Sequence, residues 1–230
     1  MTAPDWENAA VRSGMERLLA RRSDVLKSGE RTIGWKLGFG APAWLEKFSL
    51  SGPLVGFLPE SRSHRPGASV SCEGWVRPVA EPEIAVHIGR DVDDPSRAAE
   101  AVFALGAAIE LADVDPPPDD IEETLAGNIF HRAVILGEPD PGLSTLDVGL
   151  LRARVHVDGA EVADTTDLET LTGNLGDILG HAAALLASAG ERLRAGEVVI
   201  AGSVVPPVEI SPGSEVSYEL SPLDPVTVRV

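Results

Sequence analysis

Residues 81–88 read Glu-Pro-Glu-Ile-Ala-Val-His-Ile, and this stretch restricts the fold more tightly than any other. Ile84, Val86 and Ile88 alternate with Glu83, Ala85 and His87, the period of a β-strand. Side chains at i and i+2 share a strand face, so Glu81 and Glu83 lie side by side. Two carboxylates placed so beside an apolar strand repel each other and resist leaving water. Either that face is solvated, as in many antiparallel sheets, or a divalent cation relieves the repulsion. An all-oxygen ligand set suits Mg²⁺ or Mn²⁺ better than Zn²⁺, which favours nitrogen and sulfur. His87 shares the face, as a residue lining a site or as a packed or supporting histidine.

A chain of 230 residues is long enough for one sizeable core. Its net charge of −17 argues against nucleic-acid phosphate and anionic membranes as partners. It does not exclude a small anionic substrate held by a local cation. Cys72 is the single cysteine, so there is no intrachain disulfide and no zinc-finger spacing, which fits a reducing compartment. No basic-then-apolar leader opens the sequence, and no apolar run reaches about 18 residues. The expectation is a cytoplasmic protein.

In chain order, residues 5–28 predict a helix. Val11, Met15, Leu18, Leu19, Val25 and Leu26 follow the 3.6 period, and Gly29 is placed to end it. This element reads as a cap, an oligomer contact or a helix with a solvated polar face. Ile33–Gly38 is a short strand between glycines that carries Lys36, one of three lysines in the chain. Lys36 is either a cation that binds a carboxylate or steers a proton, or an edge lysine with its head in water. Pro42 opens a short helix through Phe48, and residues 52–58 turn into an apolar strand. Residues 60–75 read as a loop. Asp94-Pro95 opens a helix to about Gly106, followed by a strand over 107–113. In that strand Glu110 sits between Ala108 and Ala112, with room for an ion beside it, or as an exposed strand acid.

Residues 113–123 are acidic and hold Pro116–Pro118, which predicts a solvated loop or lid leading into a short helix. Asn128 closes that segment before an apolar strand over 133–136. Residues 155–162 predict a hairpin about Asp158-Gly159, and residues 175–186 an amphipathic helix ended by Gly190. Strands follow at 198–203, 208–210, 216–220 and 226–230. The pattern is α+β with a rolled or sandwiched mixed sheet. There is no G-x-S-x-G, no Walker loop and no G-x-G-x-x-G opening a helix.

Six fragments in this order resemble one family: Gly34-Trp35-Lys36-Leu37-Gly38, Gly52-Pro53-Leu54-Val55-Gly56, Glu81-Pro82-Glu83-Ile84-Ala85, Ile109-Glu110, Gly127-Asn128, and residues 193–203. Together they are similar to the 2-keto-4-pentenoate hydratase and 4-oxalocrotonate decarboxylase group of the fumarylacetoacetate hydrolase superfamily, over about residues 30–230. The resemblance implies a fumarylacetoacetate hydrolase-like mixed β-roll, with a helical segment at 1–30 and a single metal-binding catalytic domain over 31–230. It implies Mg²⁺ or Mn²⁺ held by Glu81, Glu83 and Glu110, with Lys36 as the catalytic group that binds substrate or moves protons. It further implies Asn128, Gly202 and Ser203 near a small 2-oxo acid substrate, and a homo-oligomer, with association to a homologous enzyme a further option.

Substrates of this group are 2-hydroxy-dienoates and their 2-keto tautomers. The cation is expected to chelate the 1-carboxylate and 2-oxo oxygens and to stabilise the enolate that forms as water adds or CO₂ leaves. Some family positions differ here: an acid used by many hydratases corresponds to Leu54, the Asp before Asn128 is Gly127, and Gly-His-Pro appears as Gly173-Asn174-Leu175. The expected function is therefore a metal-dependent hydratase. The alternatives are a decarboxylase of a related 2-oxo dicarboxylic acid and a non-catalytic partner subunit.

Overall fold

The computed structural model describes residues 3–230; Met1 and Thr2, the first positions of the expected 1–30 segment, lie outside the described residues. A 3-10 turn, Pro4–Glu7, leads into helix α1, Ala9–Lys27. Asn8 caps α1 by accepting from the backbone N–H groups of Ala10 and Val11, two donors that a helix start leaves unpaired. Val11, Met15 and Leu18 are buried along one stripe, while Leu26 is exposed. Arg22 joins the buried side because its guanidinium lies 4.7 Å from the Trp35 ring centre and pairs with Glu191 at 3.1 Å.

The remaining elements are β1 Thr32–Gly38, α2 Pro42–Phe48, β2 Leu54–Pro59, β3 Ser63–His64, β4 Ala68–Ser69, β5 Pro78–Ile88, β6 Val102–Asp113, α3 Ile121–Ala126 and β7 His131–Leu136. They continue with β8 Arg152–Val157, β9 Ala160–Thr165, α4 Leu175–Ser188, β10 Val198–Ser203, β11 Val208–Glu209, β12 Glu215–Ser221 and β13 Val226–Arg229. One sheet runs β2-β1-β10-β5-β6-β7-β3, with β11 added to β5; the other runs β4-β13-β12-β8-β9. The first is mixed: β1 is parallel to β10 and β3 to β7, while the other pairs are antiparallel.

The first sheet curls. Its β2 edge is joined to the turn before β7 by the Asn128 carboxamide, which accepts from Phe57 N–H at 2.8 Å and donates to Phe57 carbonyl at 2.9 Å. Its two faces therefore meet different surroundings. The outer face, with Trp35, Ile84, Val86, Ile109 and Ile135, belongs to the main apolar core. Helices α1 and α4 and the second sheet, through Tyr218 and Val226, pack into that core. The inner face holds a small separate core of Leu58, Ala85, Ala108, Val134, Val198 and Ile200. No described helix is long and apolar enough to cross a membrane.

Two expectations are corrected. The helix expected from Asp94 to about Gly106 is a 3-10 segment ending at Ala101, and β6 begins at Val102. Residues 104–108 have helix-compatible composition, but this segment pairs with β5 along its length, and tertiary pairing overrides weak local propensity. Its small residues fit the crowded sheet: a Cβ on Gly106 would lie 3.3 Å from His87 Nε2. The stretch 60–75 contains the two-residue strands β3 and β4, each added in parallel to a sheet edge; two residues carry no readable period. The Asp158-Gly159 hairpin forms with φ of 52° and 80°, as a two-residue turn with both central residues left-handed requires.

Candidate metal centre

The inner face of the curled sheet gathers charge at one end. Glu81 stands opposite Glu110 across the β5–β6 ladder, and Glu83 is opposite Ala108. Oxygens of the three carboxylates lie within 4.8 Å of one another. Glu83 and Glu110 are fully buried, and Glu81 is half-buried at the rim. From β1, Lys36 reaches beneath them, only 2% exposed. Its Nζ is 2.6 Å from Glu110 Oε2 and donates to the Ile129 carbonyl at 3.0 Å. Glycine makes space for its stem: a Cβ on Gly56 would lie 2.9 Å from Lys36 Cγ and 2.8 Å from Asn128 Oδ1.

Two register shifts complete the site. Between Ile200 and Ser203 the β10–β5 pairing slips, so that Ser203 rather than Gly202 faces Glu83. The freed Gly202 N–H, at φ 91°, donates to Glu83 Oε2 at 2.7 Å. Between Leu111 and Ala112 the β6–β7 pairing slips likewise, so that His131 faces Ala112. His131 Nδ1 then sits 2.7 Å from Glu110 Oε1. Bulges of this kind re-aim side chains near functional sites. Before β7, Asn128, Ile129 and Phe130 all have left-handed φ, 65°, 49° and 62°, a conformation that costs non-glycine residues about 1–2 kcal/mol each. That turn aims the Ile129 carbonyl at Lys36.

The electrostatics follow from burial and proximity. Burial pushes Glu81 up to about 7, with the Glu110 charge adding and Lys36 opposing. Burial also raises Glu83 well above the carboxylate range, reinforced by Glu110 and Glu81 and opposed by Lys36 and the Gly202 N–H. Glu110 behaves differently: burial would raise it, but Lys36 and His131 hold it below its usual value. Lys36 stays charged, since the three carboxylates outweigh its burial. His131 is pushed down by burial and is neutral. Three acids thus face one buried ammonium, and Glu83 Oε1 has no hydrogen-bond partner. An oxygen-rich, electron-rich pocket with an orphaned carboxylate oxygen fits a hard divalent cation.

Glu81 lies on the boundary of a two-lobed cleft. One lobe, about 110 Å³, is lined by Leu37, Thr172, Gly202 and Ser203; the other, about 130 Å³, by Lys36, Ala112, Ile129 and Phe130. Phe39 and Trp44 line both, packed edge to face at 5.3 Å. Val114 and Pro118, in the acidic stretch expected as a solvated loop or lid, form part of the second wall. Lys47 ties that stretch to α2 through the Pro118 carbonyl and Asp119.

Of the residues singled out in the sequence, Lys36, Glu81, Gly202 and Ser203 line this cleft, and Glu83 and Glu110 are buried beside Glu81. The Ser203 hydroxyl donates to the Val205 carbonyl at 2.7 Å. Asn128 is buried and its carboxamide is taken up by Phe57, so it shapes the turn beneath Lys36. His87 shares the inner face but lies opposite Ala104, outside the carboxylate group. Leu54 is fully buried in the apolar core. His131 was missed by the sequence analysis, because its inward aim depends on a bulge that leaves no periodic trace.

A curled mixed sheet with three glutamates gathered over a buried lysine defines a β-roll protein with a candidate oxygen-lined metal centre. The model of the fumarylacetoacetate (FAA) hydrolase C-terminal domain matches residues 43–230. The chain belongs to that family. It is similar to the 2-hydroxyhexa-2,4-dienoate hydratase of Comamonas testosteroni, 27% identical over 194 residues covering 81% of this chain and 73% of the relative. A 4-oxalocrotonate decarboxylase of Pseudomonas sp is 26% identical, with 97% of this chain and 87% of the relative covered. In fold the chain is similar to the 4-oxalocrotonate decarboxylase from Pseudomonas putida G7 solved with magnesium and adipate, at TM-score 0.85 and 20% identity, covering 100% of this chain and 90% of that one.

Proposed function

We propose that this chain is a Mg²⁺- or Mn²⁺-dependent lyase that adds water to a small 2-hydroxy-dienoic acid or its 2-oxo-enoic tautomer. The observation that carries the reading is the set of three carboxylates within 4.8 Å, two of them fully buried, around a buried lysine. Glu81, Glu83 and Glu110 would hold the cation, which when bound supplies Lewis acidity to the carboxylate and 2-oxo oxygens of such a substrate. The Gly202 N–H orients Glu83, and Gly202 and Ser203 line the lobe beside it. Lys36 Nζ holds a proton at the edge of the second lobe and stabilises negative charge developing on the substrate. The left-handed turn at 128–130 fixes that ammonium through the Ile129 carbonyl. Phe39 and Trp44 exclude water from the substrate's tail. In the cell we place the protein in the cytoplasm as a homo-oligomer.

Hydration is favoured over decarboxylation of a dicarboxylic acid by charge. Lys36 is the one cation among the described residues lining the cleft, and it is already paired with Glu110. A second substrate carboxylate would have no counter-charge there. One observation favours the decarboxylase: buried Leu54 stands where many family hydratases carry an acid, and loss of CO₂ needs no activated water. The test is to load the apo-protein with Mn²⁺ and follow loss of dienol absorbance from a 2-hydroxy-2,4-dienoate, beside CO₂ release from a 2-oxo-enedioate. Water addition that disappears together with metal in Glu83→Gln supports the proposal. CO₂ release without water addition assigns the decarboxylase, and absence of metal binding refutes the enzyme reading.

A further inference from the structure

Each of the two fully buried glutamates has one oxygen tied by an N–H group and turns the other toward the carboxylate cluster and Lys36. Glu83 Oε2 is held by the Gly202 N–H at 2.7 Å, leaving Oε1 without a partner. Glu110 Oε1 is held by His131 Nδ1 at 2.7 Å, while Oε2 pairs with Lys36 Nζ at 2.6 Å and keeps its second lone pair for a cation. Since an ionised carboxylate only accepts, the His131 proton sits on Nδ1. The two side chains are 2% and 0% exposed, so water does not compete for this bond.

We infer that His131 is the positioning residue of Glu110, tying Oε1 so that Oε2 alone is offered to a divalent cation. The inference rests on the metal reading proposed above. A carboxylate tied at one oxygen does not swing to grip an ion with both. A site of such single-oxygen donors matches the small octahedral demand of Mg²⁺ or Mn²⁺. Ca²⁺ takes more oxygens and accepts two-oxygen carboxylates. His131 therefore contributes to affinity and also to the choice of metal. The bulge between Leu111 and Ala112 is what puts imidazole there. With regular pairing Arg132 would face inward, and its fixed positive charge would stand where the cation belongs. Instead Arg132 turns outward to Asp113 at 3.1 Å.

The test uses the full chain, with Mn²⁺ and Ca²⁺ alone as probes in calorimetric titration. His131→Leu, which fills the space without a donor, should weaken Mn²⁺ binding about 10–100-fold, the usual effect of losing a residue that holds a metal ligand. Ca²⁺ binding should weaken less, so that the Mn²⁺ preference narrows. His131→Asn, whose amide nitrogen reaches the place of Nδ1, should recover most of the affinity and the wild-type Mn²⁺ electron-paramagnetic-resonance line shape. If His131→Leu does not fold, the Mg²⁺-loaded wild type carries the test. Its ¹⁵N-labelled His131 should keep a slowly exchanging, low-field Nδ1–H resonance. Mn²⁺ affinity, line shape and Ca²⁺ ratio all unchanged in His131→Leu, or loss of that resonance on Mg²⁺ binding, would overturn the inference. A wild type that binds no metal would instead defeat the metal reading itself.

Discussion

Metal binding at this site should expel protons, and the structure says which carboxyls supply them. At pH 7 without metal, Glu110 is ionised, held down by Lys36 and His131 against its burial. Glu81, pushed up to about 7 by burial and the Glu110 charge, is half protonated, and Glu83 is raised well above its ordinary value by burial and the same neighbouring charge. A cation needs all three ionised. Binding at pH 7 should therefore release about half a proton from Glu81, with Glu83 adding in the same direction, and the apparent association constant should rise at least about threefold per pH unit there. Titrating Mn²⁺ by calorimetry in buffers of different ionisation enthalpy measures the number directly. The same shifts carry a sign for stability. Glu81 has its folded value raised above its ordinary 4.5, so its contribution is fully present below pH 4.5 and is lost as pH rises through about 7. The loss is about 3 kcal/mol at most by the conversion of 1.36 kcal/mol per unit, less for a half-buried group. Glu83 acts in the same direction. The apo-protein's melting temperature should fall from pH 5.5 to 8, and Mn²⁺ should restore it. Proton release near zero, with pH-independent affinity between pH 6 and 8, would refute the electrostatic account.

Three further outcomes follow from the same geometry. Lys36→Met leaves the buried carboxylates without their counter-charge, and should cost roughly 3–5 kcal/mol of apo stability at pH 8 in urea titrations, much of it recovered with Mg²⁺, while turnover is lost. Gly56→Ala inserts a Cβ 2.8–2.9 Å from Asn128 Oδ1 and Lys36 Cγ; it should cost about 1–3 kcal/mol and lower turnover more than tenfold by displacing Lys36. Asn128→Ala strands the buried N–H and carbonyl of Phe57, which should cost about 2–4 kcal/mol in chemical denaturation. Its Mn²⁺ affinity should change far less than in Glu83→Gln.

Local chemistry made much of this protein legible in advance. Period-two alternation in 81–88 places Glu81 and Glu83 on one face whatever surrounds them, because successive strand side chains point to opposite sides. Proline at position 42, Asp158-Gly159 and the apolar stripe from Leu175 to Leu186 constrain φ and amphipathicity within a few residues of themselves. They mark the start of α2, the β8–β9 turn and α4. The order of family-like fragments points to the fold for the same reason: each is short and keeps its spacing.

The three-dimensional arrangement decided the rest. Whether Glu81 and Glu83 faced water or a buried lysine depended on a sheet that curls until Asn128 meets Phe57, 71 residues away in sequence. Glu110 reads as an ordinary strand acid until β6 pairs with β5 in the register that sets it opposite Glu81. The inward turn of His131 and the freed Gly202 N–H both come from bulges, one extra residue on β7 and one on β10 that show only once the strands pair. The segment 102–106 became strand rather than helix through pairing that its own residues do not encode. Composition and period act over a few bonds, whereas burial, register and the potential of a carboxylate cluster are set by residues that only folding brings within a few ångströms.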